Sequence, residues 1–174
     1  MKAIFLTAVG KVDPDVMEYL YYSLGDGLSA ECEMLETGID ISESYNSVRG
    51  QYYSTELLAK LAEIPIPEES KILGICSVDL FIPILTFVFG EAQLGGRAAL
   101  VSTFRLRQQF YGLPEDQRQF LERAEKEALH ELGHTFGLVH CQEFECLMSF
   151  SNSVDGVDLK TNNFCSGCRS LAGL

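Results

Sequence analysis

Long uncharged apolar runs are missing from this 174-residue sequence, and so are basic clusters, internal repeats and low-complexity tracts. Each gap removes a class of protein. No stretch approaches the roughly 20 apolar residues that cross a bilayer, so a membrane span is not expected. Only 13 Lys and Arg stand against 25 Asp and Glu, giving a formal charge of −12. The basic residues are scattered, so a nucleic-acid-binding face is not expected either. The lack of repeats argues against solenoids and propellers. The amino terminus carries one Lys and a short apolar stretch from Ala3 to Val9, too weak for an export signal. The expectation is a monomeric cytoplasmic protein with one domain over residues 1–174, long enough to bury a sizeable core.

Histidine is scarce too, which makes its placement informative. All three histidines fall in H-E-L-G-H-T-F-G-L-V-H, residues 130–140. Random placement gives about 860,000 triplets, of which about 164 have this spacing, so the usual caution about short motifs loses most of its force. His130 and His134 are four apart and share one face of a helix. Gly137 can end that helix in a conformation closed to most residues. The chain then turns and can bring His140 to the same point. Three neutral imidazoles suit Zn²⁺ and leave a fourth position open, the mark of a catalytic rather than a structural site. Glu131 is placed to act as general base toward a zinc-activated water.

Six cysteines divide into two kinds. Cys32 and Cys76 stand alone and read as buried free thiols. Cys141, Cys146, Cys165 and Cys168 form C-x4-C-x18-C-x2-C, which reads as a structural zinc site. Two disulfides are the competing reading, disfavoured without an export signal.

The pattern along the chain is mixed α/β. Residues 2–9 read as a buried strand closed by Gly10. Asp13-Pro14 opens a helix bearing Val16, Leu20 and Leu24, which the glycines at 25 and 27 should stop. Residues 28–36 are strand-like and 37–50 a polar loop. Ser54 is placed to cap a helix from Thr55 to Glu63. Strands are expected at 71–78, 86–93 and 98–103, with a turn at 94–97. The longest helical pattern covers 115–136, opened by Pro114 and carrying Phe120, Ala124, Ala128, Leu132 and Phe136. The tail from 141 has little periodicity and should be irregular, held by metal. The segment 86–93 could offer a sheet edge along a cleft, where Phe89, Gly90 and Glu91 would contact an extended peptide. Glu91 would be a rim carboxylate favouring basic or amino-terminal groups. A plain interior strand is the alternative.

The 130–140 string is the extended signature of the metzincin metallopeptidases. Its continuation, H-C-Q-E-F-E-C-L-M-S-F and then F-C-S-G-C, resembles the archaemetzincins, as do D-L-F-I-P, F-V-F-G-E-A and S-T-F-R-L-R upstream. The resemblance covers roughly residues 50–170. It implies a compact single-domain α/β metzincin-like fold, with a mixed twisted sheet, an active-site helix and a zinc-stapled carboxy-terminal segment within 141–170. It also implies two zinc ions, one catalytic on His130, His134 and His140, one structural on the four clustered cysteines. Met148 would form an apolar floor under the histidines rather than a ligand. Several metzincins place a Tyr just after this Met, whereas here Ser149-Phe150-Ser151-Asn152 follow. Cys141 abuts His140, so the structural site would pin the third catalytic ligand. The expected activity is zinc-dependent hydrolysis of peptide bonds. The alternatives are a non-enzymatic zinc protein that binds a peptide or partner, and zinc-dependent hydrolysis of another amide.

Overall fold

The computed structural model describes residues 3–174, so Lys2, where the first strand was expected to begin, lies outside the described residues. Strand β1 (Ala3–Ala8) is followed by helix α1 (Pro14–Leu28) and strand β2 (Glu31–Met34). Asp13 caps α1, its side chain accepting from Asp15 N–H, and Pro14 takes the first helical position. The glycines at 25 and 27 do not stop α1, contrary to the sequence reading. The helix runs through them to Leu28, which is buried, and ends at Ser29 in the left-handed region with φ +50°. Packing of the apolar face outweighs the modest helical cost of glycine.

Strands β3 (Tyr45–Asn46) and β4 (Gln51–Tyr53) lead into helix α2 (Ser54–Ala62). Ser54 was expected to cap this helix from outside; it is instead the first helical residue, and its hydroxyl donates to Glu91 and lies 3.2 Å from the Phe81 carbonyl oxygen. Strands β5 (Lys71–Cys76), β6 (Leu80–Phe81), β7 (Gly90–Ala92) and β8 (Ala98–Ser102) follow, then the long helix α3 (Gln117–Thr135). Asp116 caps α3 by accepting from Gln119 N–H, two residues beyond the proline expected to open it.

The main sheet has the order β2-β1-β5-β8-β7. Its first four strands are parallel and β7 runs antiparallel to β8 at the edge. Alternation along β5 sends Leu73 and Ile75 to one face and Ile72 and Cys76 to the other. The first face packs against α1 and α3 through Leu20, Leu24, Ala128 and Leu132, whereas the second packs against α2 through Leu57, Leu58 and Leu61. A parallel sheet covered on both faces is a mixed α/β architecture. A small second sheet has the order β3-β4-β6.

Two further expectations need correction. The strand expected over 86–93 shrinks to Gly90–Ala92, preceded by an isolated bridge from Val88 to Leu80. The carboxy-terminal segment is not wholly irregular, since it contains the short helices α4 (Val154–Leu159) and α5 (Ser166–Ala172). Side chains of Ser153 and Cys165 accept from Gly156 N–H and Cys168 N–H at their starts. Helices this short rest on caps and tertiary contacts rather than on periodicity. Among the described residues, no helix is long and apolar enough to cross a membrane.

Candidate metal centre and its cleft

Helix α3 carries His130, Glu131 and His134 to the edge of the sheet beside β7. It ends where the sequence places Gly137. Gly137 sits at φ +87°, its N–H donating to the His134 carbonyl at 2.9 Å while Leu138 N–H donates to the Gly133 carbonyl at 3.2 Å. This paired closure satisfies the last helical carbonyls and needs a left-handed residue. The chain then reverses and delivers His140.

The side-chain nitrogens of His130, His134 and His140 can all lie within 4.8 Å of one another. His130 Nε2 and His134 Nε2 are 3.2 Å apart. Each ring commits its other nitrogen to a backbone carbonyl, His130 Nδ1 to Leu147 at 2.8 Å and His134 Nδ1 to Leu138 at 2.7 Å. Carbonyls only accept, so both Nδ1 atoms carry the proton. The two Nε2 lone pairs then face each other with no proton between them. Burial above all, then the Lys160 charge, pushes the His130 imidazole well below its ordinary range. Burial lowers His134 and His140 as well. Neutral imidazoles with converging lone pairs are the donor set that fits Zn²⁺, whose tetrahedral Zn–N bonds of about 2.0–2.1 Å span about 3.3 Å between ligands.

Glu131 is 6% exposed and lines the cleft with the three histidines. Burial first, and the Glu127 carboxylate second, hold it well above the usual carboxylate range. Raised basicity is what a proton acceptor needs. Room for its side chain comes from the edge strand, since a Cβ on Gly90 would lie 2.6 Å from Glu131 Cγ and 2.7 Å from the Leu100 carbonyl oxygen.

Met148 is fully buried beneath the helix. A Cβ on Gly133 would come within 2.4 Å of its sulfur, so the floor depends on glycine at that point. The Met148 carbonyl accepts from Cys141 N–H at 2.9 Å, which ties the floor to the residue after His140.

The other four cysteines gather behind this turn. Cys141 Sγ is 3.9 Å from Cys165 Sγ, and Cys146 Sγ 3.8 Å from Cys168 Sγ. Tetrahedral Zn–S bonds of about 2.3 Å predict about 3.75 Å between sulfurs, whereas a disulfide requires about 2.05 Å. Backbone N–H groups of Cys165 and Cys168 point at Cys146 Sγ and Cys165 Sγ, at 3.4 and 3.5 Å. The second of these lowers the Cys165 thiol below its ordinary value. The donor set fits a tetrahedral zinc. Cys76 is fully buried and Cys32 half-buried, each unpaired.

Glu91, expected as a rim carboxylate, lines the cleft and also accepts from Ser54 and from Thr55 Oγ1 at 2.8 Å at the start of α2. Phe89 is buried and Gly90 faces the cleft. The cleft, about 470 Å³, is walled largely by apolar groups such as Leu85, Phe87, Val139 and Phe150, with Thr86, Ser151 and Asn152 also in its lining. Sequence reasoning missed Glu127 and Lys160, a buried ion pair at 3.1 Å in the wall of this cleft. Nothing in a single sequence joins residues 33 apart.

Residues 32–172 match the family model Peptidase family M54. The archaemetzincin of Methanocaldococcus jannaschii is 43% identical over 166 residues, covering 95% of this chain and 89% of that protein. The crystal structure of archaemetzincin from Methanopyrus kandleri superposes with a TM-score of 0.86 at 37% identity, over 99% of this chain and 93% of that one. A crystal structure described as a zinc-dependent peptidase from Methanocorpusculum labreanum gives a TM-score of 0.85 at 30% identity, over 97% and 99% of the two chains.

Proposed function

The chain belongs to peptidase family M54, the archaemetzincins, and on that premise we propose that this zinc metallopeptidase cleaves peptide bonds with Glu131 as general base. His130, His134 and His140 would hold the catalytic zinc through Nε2. Cys141, Cys146, Cys165 and Cys168 would hold a second, structural zinc. When bound, a zinc ion with an open position acidifies a coordinated water and polarises a carbonyl.

The chain's own residues supply the rest. Glu131, buried and basic, takes the proton of the attacking water and returns it to the leaving amine. The Leu147 and Leu138 carbonyls fix the tautomers and orientations of His130 and His134. Gly90 leaves Glu131 its place. Strand β7, the outer strand of its sheet, lies where an extended peptide could add as a further strand and present its carbonyl to the site. Ser149 Oγ is engaged with the Phe144 carbonyl at 3.0 Å, so the residue after Met148 contributes no free hydroxyl toward an oxyanion. Apolar cleft walls exclude water around the reacting atoms.

One observation carries this reading. Two proton-free Nε2 atoms face each other at 3.2 Å beside a buried carboxylate. A zinc count together with a quenched-peptide assay on wild type and a Glu131 variant tests it.

A further inference from the structure

The cleft contains a buried ion pair that the hydrolytic reading leaves unused. Glu127 sits one helical turn before Glu131 on α3, and Lys160 immediately follows α4. Their side chains pair at 3.1 Å and are 4% and 1% exposed. Both line the cleft that contains His130, His134 and Glu131.

A desolvated ammonium has three N–H groups to satisfy. Lys160 Nζ reaches one acceptor, Oε1 of Glu127. Its other near neighbour is His130 Nδ1, at 3.5 Å. That nitrogen cannot accept, because it donates to the Leu147 carbonyl. No further acceptor reaches Nζ among the described residues. Within the protein the ammonium is therefore short of hydrogen-bond acceptors in the wall of the cleft. An aliphatic side chain entering here would leave those N–H groups dry, and a basic one would meet the Lys160 charge. An oxygen acceptor would complete them.

We propose that Lys160 makes one subsite beside the scissile bond selective for a side chain with a hydrogen-bond-accepting oxygen, the amide of Asn or Gln or the carboxylate of Asp or Glu. This rests on the peptidase reading above and names its substrate class. The amide brings no third charge to the Glu127–Lys160 pair, whereas the carboxylate shares the ammonium with Glu127, so the two are tested separately.

The test uses the full chain loaded with zinc and quenched peptides in which each position flanking the cut is in turn Leu, Gln, Glu or Lys. At one position Gln or Glu exceeds Leu by at least about tenfold in kcat/KM, since a site built to hydrogen-bond penalises an analogue that cannot. Lys160→Met abolishes that preference, read within the variant as the ratio of Gln or Glu to Leu in kcat/KM. A preference below tenfold at every position, or one that survives Lys160→Met, overturns the proposal. The same peptides are titrated by fluorescence anisotropy onto zinc-loaded Glu131→Gln protein. Selective binding without cleavage by wild type would keep the subsite and remove the peptidase reading. Unselective binding with brisk cleavage would do the reverse. Where Lys160→Met does not fold, the wild-type preference in kcat/KM and the binding preference decide.

Discussion

The Nε2 atoms of His130 and His134 stand 3.2 Å apart, each on a ring whose other nitrogen is tied to a backbone carbonyl. Neither ring can turn away without breaking that tie, and neither carries a proton toward the other. Replacing either histidine, or His140, with Ala is expected to lower the zinc count from two per chain to one and to abolish peptide hydrolysis. Elemental analysis after dialysis against a weak chelator reads the count. A histidine variant that keeps both ions would remove that residue from the ligand set.

The cysteine cluster and the histidine site share a turn. Cys146 immediately precedes Leu147, whose carbonyl orients His130, and Cys141 immediately follows His140. Cys146→Ser should therefore weaken zinc at the histidines as well, by the 10–100-fold typical of lost orienting partners. Competition with a chromophoric chelator measures it; unchanged affinity there would show that the sites are independent. Removing zinc from the wild type should make Cys165 the first of the clustered thiols to react, because the Cys168 N–H lowers it, with Cys146 and Cys168 slower because burial raises them. Cys76 should stay unreactive, because burial raises its thiol to about 12, and Cys32 should react slowly, its thiol raised to about 11 by burial and then by Glu33.

Gly90 and Gly133 are both in contact with the machinery, but with different consequences. At Gly133 a new Cβ strikes the Met148 sulfur, at 2.4 Å. Gly133→Ala is expected to cost about 1–3 kcal/mol through overpacking, read as a lower denaturation midpoint. At Gly90 the new Cβ meets both the Glu131 side chain and a fixed backbone oxygen. Gly90→Ala should cut kcat by at least about tenfold, with zinc content unchanged, because a small displacement of a positioned base is costly. Wild-type kcat in that variant would show that Glu131 has slack.

Tyr19 joins α1 to α3 by donating to Glu125 Oε2 at 2.7 Å. Burial, then this bond and the Glu125 charge, raise its phenol well above the ordinary value near 10. The folded state thus favours the protonated phenol. Its contribution is complete below pH 10 and is lost as pH rises above it. Denaturant titrations of wild type and Tyr19→Phe should converge as pH climbs from 9 through 11. A gap that widens would contradict the sign.

What the sequence made legible follows from distance along the chain. The histidine string packs its ligands, a turn glycine and Glu131 into eleven residues, so local helix geometry suffices to place them side by side. The alternation in β5 and the apolar stripe of α3 are likewise local. Glu127 with Lys160, and Glu91 with Ser54 and Thr55, join segments more than thirty residues apart, so neither pairing has a local pattern. The helices α4 and α5 are six and seven residues long, too short for a periodic stripe, and their capping side chains come from Ser153 and a cysteine. Helix α1 outran its glycines because Leu28 gains burial that local propensity does not register.

The most direct measurement is paired, the zinc content and the peptide turnover of Glu131→Gln beside wild type. The account predicts the same two ions per chain in both proteins and a loss of at least about a hundredfold in kcat for the variant, the low end for removing a general base. Turnover within tenfold of wild type, with zinc retained, would contradict it.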